Sequence, residues 1–154
     1  MNTKNAVFKA RVSKELDELN LIVNRAESSW RLARQQNNDL FLDAAALNLH
    51  GFYSGIEKIF EYIAKEIDKS VPTGNAWHRE LVSQMATPIE GIRPSVISQK
   101  TELLLDEFRG FRHVVRNLYT FNLSPERLEI LVKHISPCFS QLRAEIMDFL
   151  GHIE

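Results

Sequence analysis

One cysteine in 154 residues excludes an internal disulfide framework, so Cys138 stands as a lone thiol. Such a chain suits a reducing cytoplasm, where the fold must rest on packing. Glycine and proline are sparse, at six and five, which excludes collagen-like and low-complexity linker architectures. No apolar run approaches the roughly 20 residues that span a bilayer. The first residues, MNTKNAVFKARVSKELDE, are charged and carry no apolar h-region, so no signal peptide is expected. Excess charge of either sign is also missing, since the formal net charge is −1. Attraction to nucleic acid or to a membrane surface must therefore come from a local patch. Strand-like alternation, internal repeats, a glycine-rich phosphate loop and a Gly-x-Ser-x-Gly motif are all absent.

What is present is helical periodicity. From Ala6 to about Gln36, apolar residues recur at Val12, Leu16, Leu19, Val23, Ala26, Trp30 and Ala33 with no glycine or proline between. After QQNND, where Asn38 or Asp39 is placed to cap, a second pattern runs to about Asp68. It carries Leu42, Ala45, Leu49, Phe52, Tyr53, Ile56, Ile59, Phe60, Ile63 and Ile67, and it contains Gly51 and Gly55, whose presence predicts close helix packing. The turn cluster SVPTGN precedes a short helix, AWHRELVSQMA, in which Trp77 and His78 are expected to pack against the other helices. After TPIEGIRPS, Ser95 is expected to cap a fourth helix reaching about Phe121. Ser124 and Pro125 open the last helix, and Pro137 is expected to kink it. The four long helices are expected at about 26 to 31 residues, or roughly 40 to 45 Å. Short connections then predict one all-α domain over residues 1–154, an antiparallel four-helix bundle with a short additional helix.

The chemistry concentrates in FRGFRHVVRNLYTF, residues 108–121, which holds Arg109, Arg112, His113 and Arg116 and no carboxylate. On a helical wheel Phe108, Phe111, Val114, Val115, Leu118 and Phe121 face one way. Arg109, His113, Arg116 and Thr120 fall within about 60° of one another on the opposite side. Arg112 borders that stripe on one edge and Asn117 on the other. A solvated amphipathic face supported by pairs such as Asp106–Arg109 is one reading. A phosphate site is the other. Arginine forks bind phosphoryl oxygens, and His113 can take or give a proton near neutral pH. Such a set suffices for metal-independent RNA cleavage to a 2′,3′-cyclic phosphate, with arginine stabilising the charge at phosphorus. A single histidine does not readily serve as both acid and base, so a symmetric dimer joining two stripes is expected. The other histidines, His50, His78, His134 and His152, lack the i, i+4 pairing of a helical metal site, and no metal or cofactor is expected. Cys138 has no nearby cation and is expected to be inert.

With its WHREL, RPSVIS, FRHVVRNLY and LSPERL segments, the chain from about residue 40 onward resembles the HepT-like proteins of the HEPN superfamily. The resemblance implies a dimerising helical bundle and a toxin of a type VII-like toxin–antitoxin system. It implies an endoribonuclease site built on an Arg–x(4–6)–His motif. It also implies a minimal nucleotidyltransferase antitoxin that adenylylates a tyrosine just after the motif. Carried onto this sequence, the Arg-Asn pair is Arg116 and Asn117, and Tyr119 is the candidate for modification. The motif is degenerate, because positions 121 and 122 are Phe and Asn and the nearby His113 precedes Arg116. The expected assignment is therefore Arg109, His113 and Arg116 as catalytic groups, with Arg112 and Asn117 holding RNA phosphate. The alternative is a non-catalytic HEPN module that binds nucleotide, RNA or a partner protein through the same stripe.

Overall fold

The computed structural model describes residues 2–117 and 123–154, with Arg116 and Asn117 described in backbone only. Five α-helices follow in order: α1 (Thr3–Gln36), α2 (Leu40–Ile63), α3 (Trp77–Met85), α4 (Gln99–Asn117) and α5 (Pro125–Gly151). A π-helical turn, Ala64–Asp68, extends α2 to the predicted end. Among the described residues there is no β-strand, and the fold is an all-α bundle.

The apolar periodicity of α1 and α2 becomes their shared interface. Val12, Leu16, Leu19, Val23, Ala26 and Ala33 are buried on α1, opposite Leu49, Phe52, Ile56, Phe60 and Ile63 on α2. Leu19 lies against Gly55 and Ile22 against Gly51, while Glu15 pairs with Lys58 at 2.9 Å. The α1 number rises as the α2 number falls, so the two helices form an antiparallel hairpin. Asp17 with Arg143 and Asn5 with Glu154 set α1 antiparallel to α5. Thr101 with Glu145 and Glu107 with His134 set α4 antiparallel to α5. Helix α2 is central and touches α1, α3, α4 and α5, which is why it is apolar around so much of its circumference.

The caps follow sequence chemistry with two shifts. Ser124 Oγ accepts the Arg127 N–H at 3.3 Å, with Pro125 in the first helical position. Between α1 and α2, Asn38 Oδ1 accepts the Leu40 N–H at 3.0 Å, whereas Asp39 makes no side-chain cap bond. Helix α4 begins at Gln99, three residues later than a Ser95 cap would give. The N–H groups of Val96 and Ile97 donate to the Met85 carbonyl at 2.8 and 3.2 Å, so this segment runs along the end of α3. Both side chains are buried. The described part of α4 spans 19 residues, and its predicted extension to Phe121 lies outside the described residues. Helix α5 continues through Pro137 to Gly151.

Two polar clusters hold the crossover. Arg93, 7% exposed, donates from Nε and Nη2 to Asp68 at 2.5 and 2.8 Å. It also reaches the carbonyls of Thr87, Pro94 and Gln84, so its buried charge is paired and its donors are satisfied. At the start of α4, Glu145 accepts from the Ser98 N–H at 2.6 Å and from Ser98, Thr101 and Gln141 side chains at 2.9, 2.8 and 2.6 Å. A carboxylate at a helix N-terminus also meets the positive end of the dipole. Partial burial acts to raise the Glu145 pKa, but the hydrogen bonds from Ser98, Gln141 and Thr101 outweigh it and hold the group below 4.5.

Two tests follow from this packing. A Cβ on Gly55 would sit 2.6 Å from Leu19 Cδ2, whereas one on Gly51 would meet only Ile22 Cδ1 at 4.0 Å. Gly51→Ala should therefore stabilise the fold by about 0.5–1 kcal/mol through helix propensity, while Gly55→Ala should lose about 1–3 kcal/mol to overpacking. Urea unfolding of the pair checks this, and equal shifts would contradict it. A group with a depressed folded pKa stabilises above its unfolded value, and that contribution disappears as pH falls through the folded one. Glu145→Gln should thus cost about 1–2 kcal/mol at pH 7. The gap to the native chain should close below pH 4.5, as read by thermal melts across pH.

Candidate functional site

Helix α4 turns Phe108 and Phe111 into the core and leaves Arg109 and Arg112 half-buried and His113 exposed. The amphipathic split thus holds for Phe108–His113, while the rest of the predicted stripe, from Arg116 on, lies outside the described side chains. Its charges are not left to solvent alone. Arg109 donates from Nε and Nη2 to Asp106 at 3.0 and 2.6 Å, one turn back on the same helix. Arg112 turns inward, with its side chain only 14% exposed and Nε 3.3 Å from Glu57 Oε1. That contact is coulombic, because the Nε–H finds no aligned acceptor.

Glu57 is the unexpected participant. It sits on the core side of α2, one turn after Tyr53, and is 5% exposed. Its second oxygen, Oε2, meets Nδ1 of His78 on α3. A carboxylate only accepts, so this contact places the ring proton on Nδ1 and makes Nε2 the accepting nitrogen. The indole of Trp77 packs partly against the core and its ring lies 3.4 Å, centroid to centroid, from the His78 ring. Trp77 thus packs the short helix as expected, whereas His78 is committed to Glu57.

These contacts line a cleft of about 340 Å³ between the start of α3 and the middle of α4. Its walls are Asn75, Ala76, His78 and Arg79 on one side and Arg109, Arg112 and His113 on the other. A smaller hollow of about 40 Å³ shares Arg79 and Arg109 and is floored by Tyr53. The Tyr53 hydroxyl is buried with no hydrogen-bond partner. Burial and, secondarily, Glu57 push its pKa upward against the pull of Arg109 and Arg112, so it remains a neutral O–H donor. The cleft therefore presents three guanidinium groups, two imidazoles and an amide, a set suited to an oxyanion.

Of the residues expected from sequence, Arg109, Arg112 and His113 come together in this cleft. Arg116 and Asn117 continue the same helix, but their side chains lie outside the described residues, as does Tyr119 altogether. His134 pairs with Glu107 at 2.7 Å on the α4–α5 side, away from the cleft lining. Cys138 is fully buried, which together with Glu107 pushes its thiol up to about 12. Sequence reasoning missed Glu57, His78, Arg79 and Tyr53 as site residues. One signal was available: Glu57 interrupts the apolar face formed by Tyr53, Ile56, Phe60 and Ile63, and an acid at such a position calls for a partner.

A family model described as HepT-like protein matches residues 44–153. The chain belongs to the HepT-like family. HepT-like proteins are members of the HEPN superfamily, so the resemblance carried by FRHVVRNLY and its neighbouring segments holds for most of the chain. The matched region contains every cleft residue and excludes all of α1. No curated protein and no solved structure matches the chain. No helix of the described residues is long and apolar enough to cross a membrane.

The two arginines of this HepT-like cleft are predicted to differ in their structural roles. Arg112→Met removes the cation facing a buried carboxylate and should cost about 3 kcal/mol. Arg109→Ala breaks a surface pair on one helix and should cost under about 1 kcal/mol. Chemical denaturation of both variants measures the difference, and the opposite order would refute the assignment of Arg112 to Glu57.

Proposed function

We infer that this HepT-like protein is the toxin of a two-component system and a metal-independent endoribonuclease. The observation that carries this reading is the arginine–histidine cleft on a HepT-like fold. In it Arg79, Arg109, Arg112 and His113 gather around a space the size of a nucleotide phosphate and its sugar. RNA supplies both the anion and the internal nucleophile that such a site needs. His113 transfers protons, Arg109 and Arg116 stabilise the negative charge at phosphorus, and Arg112 and Asn117 hold the flanking phosphates. The protein acts as a dimer, and the second copy extends the RNA-binding surface.

The partner in this reading is a minimal nucleotidyltransferase antitoxin, which silences the toxin by adenylylating Tyr119. Arg116, Asn117 and Tyr119 follow the cleft residues of α4 directly in sequence, which is what supports Tyr119 as the target.

Expression in a bacterial host and cleavage of a labelled RNA test the proposal together. His113→Ala and Arg116→Ala should each lower cleavage about 10²–10³-fold and abolish growth arrest, with unchanged helical circular dichroism. Growth arrest of equal strength in the native chain and both variants would reject the reading. Binding that falls steeply with salt without any cleavage product would instead favour a non-catalytic RNA-binding module.

A further inference from the structure

Helix α1 lies wholly outside the family match, and the cleft draws no residue from it. Its inner side packs on α2 and α5. Its outer side carries two interleaved heptad series of exposed residues. One is Val7, Lys14 and Leu21, and the other is Arg11, Glu18 and Arg25. A seven-residue repeat drifts only about 20° per heptad on a straight helix, so all six lie within about 40° of Val7. Val7 and Leu21 are 56% and 62% exposed. Scattered exposed apolar residues are ordinary. Two on one stripe, about four turns apart with opposite charges between them, form a pattern that solvation does not require.

The charges are ordered along the helix. Residues 4–14 hold Lys4, Lys9, Arg11 and Lys14 with no carboxylate, and Glu15, Asp17 and Glu18 follow at once. On the flanks, Lys58 of α2 holds Glu15 at 2.9 Å and Arg143 of α5 holds Asp17 at 3.2 Å. Glu18 is the acid of the stripe itself. The Arg11 guanidinium lies over the Tyr62 ring, 4.8 Å from its centroid, at the edge that borders α2.

We propose that the outer stripe of α1 is a self-association surface, on which two copies of this chain pack α1 against α1, antiparallel, about a two-fold axis near Lys14. Val7 then faces the partner's Leu21, and Arg11 faces the partner's Glu18. Each of these contacts occurs twice, because the interface is isologous. The cationic half of one helix meets the anionic turn of the other. A parallel arrangement sets Arg11 against the partner's Arg11 and Glu18 against the partner's Glu18, and like charges so placed disfavour it. Lys14 meets its own copy at the axis, where a flexible stem carries the ammonium outward to water. Polar groups at such positions fix register and orientation. Met147 widens the contact, since it stands one turn beyond Arg143 on the same face of α5 and is 47% exposed. This surface uses no cleft residue, so the inference does not rest on the endoribonuclease reading.

Sedimentation equilibrium across a concentration series tests the proposal, with circular dichroism to check folding. Val7→Glu combined with Leu21→Glu alters only exposed positions. It should halve the mass of the native assembly, whatever further interface that assembly has. Arg11→Glu and Glu18→Arg should each weaken association about tenfold, because the two-fold axis repeats each reversal. Combining the two reversals restores the opposite-charge pair and should recover native association. Lys14→Cys should yield a disulfide-linked dimer under mild oxidation. Arg25→Cys, on the same stripe but roughly 30 Å from its copy, should not. Cys138 is buried and takes no part.

A native chain that stays monomeric at every concentration overturns the proposal. A native mass that persists in the Val7→Glu, Leu21→Glu chain does the same. Failure of the combined reversal to restore association, or equal cross-linking at positions 14 and 25, rejects the antiparallel register and the surface with it.

Discussion

The placement of a carboxylate at position 57, on the core side of the central helix, is the constraint around which the cleft is built. An ionised carboxylate taken from water costs several kcal/mol unless it is paired. Glu57 meets this requirement with His78 from α3 and Arg112 from α4. One buried charge therefore fixes the mutual position of three helices. It also explains why Arg112 turns inward while Arg109, three residues earlier, stays with Asp106 on its own helix. A leucine at position 57 would pack as well, but it would leave His78 without an orientation and Arg112 without a partner.

The same logic organises the chain ends that frame the cleft. The crossover from α2 to α4 buries Leu81, Met85, Val96 and Ile97, and directed polar contacts fix its course. Asp68 and Arg93 close the loop on itself. The Met85 carbonyl receives the N–H groups of Val96 and Ile97. Glu145 then collects the first donors of α4. These contacts have defined geometry, which gives the crossover one arrangement where apolar packing alone would permit several. Helix α3 is held at both ends by this set, by Arg93 at its C-terminal side and by Glu57 at its N-terminal side. The site is thus formed by a short helix whose position depends on charges contributed by its neighbours.

Local chemistry was legible in the sequence to the extent that it is local. The 3.6-residue periodicity placed α1, α2 and α5 within a few residues of their observed bounds, because burial of one face is the main requirement on a long helix. Ser124 and Pro125 announced a helix start correctly, and Gly55 announced a close approach that Leu19 occupies. The start of α4 was misplaced by three residues. Ser95 and Ser98 are equally good caps in isolation, and the choice between them is made by the distant Glu145 and by the Met85 carbonyl. Half of the cleft was invisible for the same reason. His78 and Glu57 are 21 residues apart, and no spacing rule connects a helix to a crossover that folds back on it.

The cleft also answers why a near-neutral chain concentrates cations on one helix. Counted in sequence, residues 108–121 carry unopposed positive charge. Counted in space, Asp106 offsets Arg109 and Glu57 offsets Arg112. What remains is a modest excess focused into a walled cleft, in which low-dielectric surroundings strengthen the field without requiring high net charge. This distribution favours one well-positioned phosphate over diffuse attraction along a polyanion. A nucleic-acid binder of low specificity needs the opposite arrangement, with many exposed cations and few acids among them. Carboxylates placed among the cations give up some affinity and gain geometry. That exchange suits a site that holds one anion in a defined position.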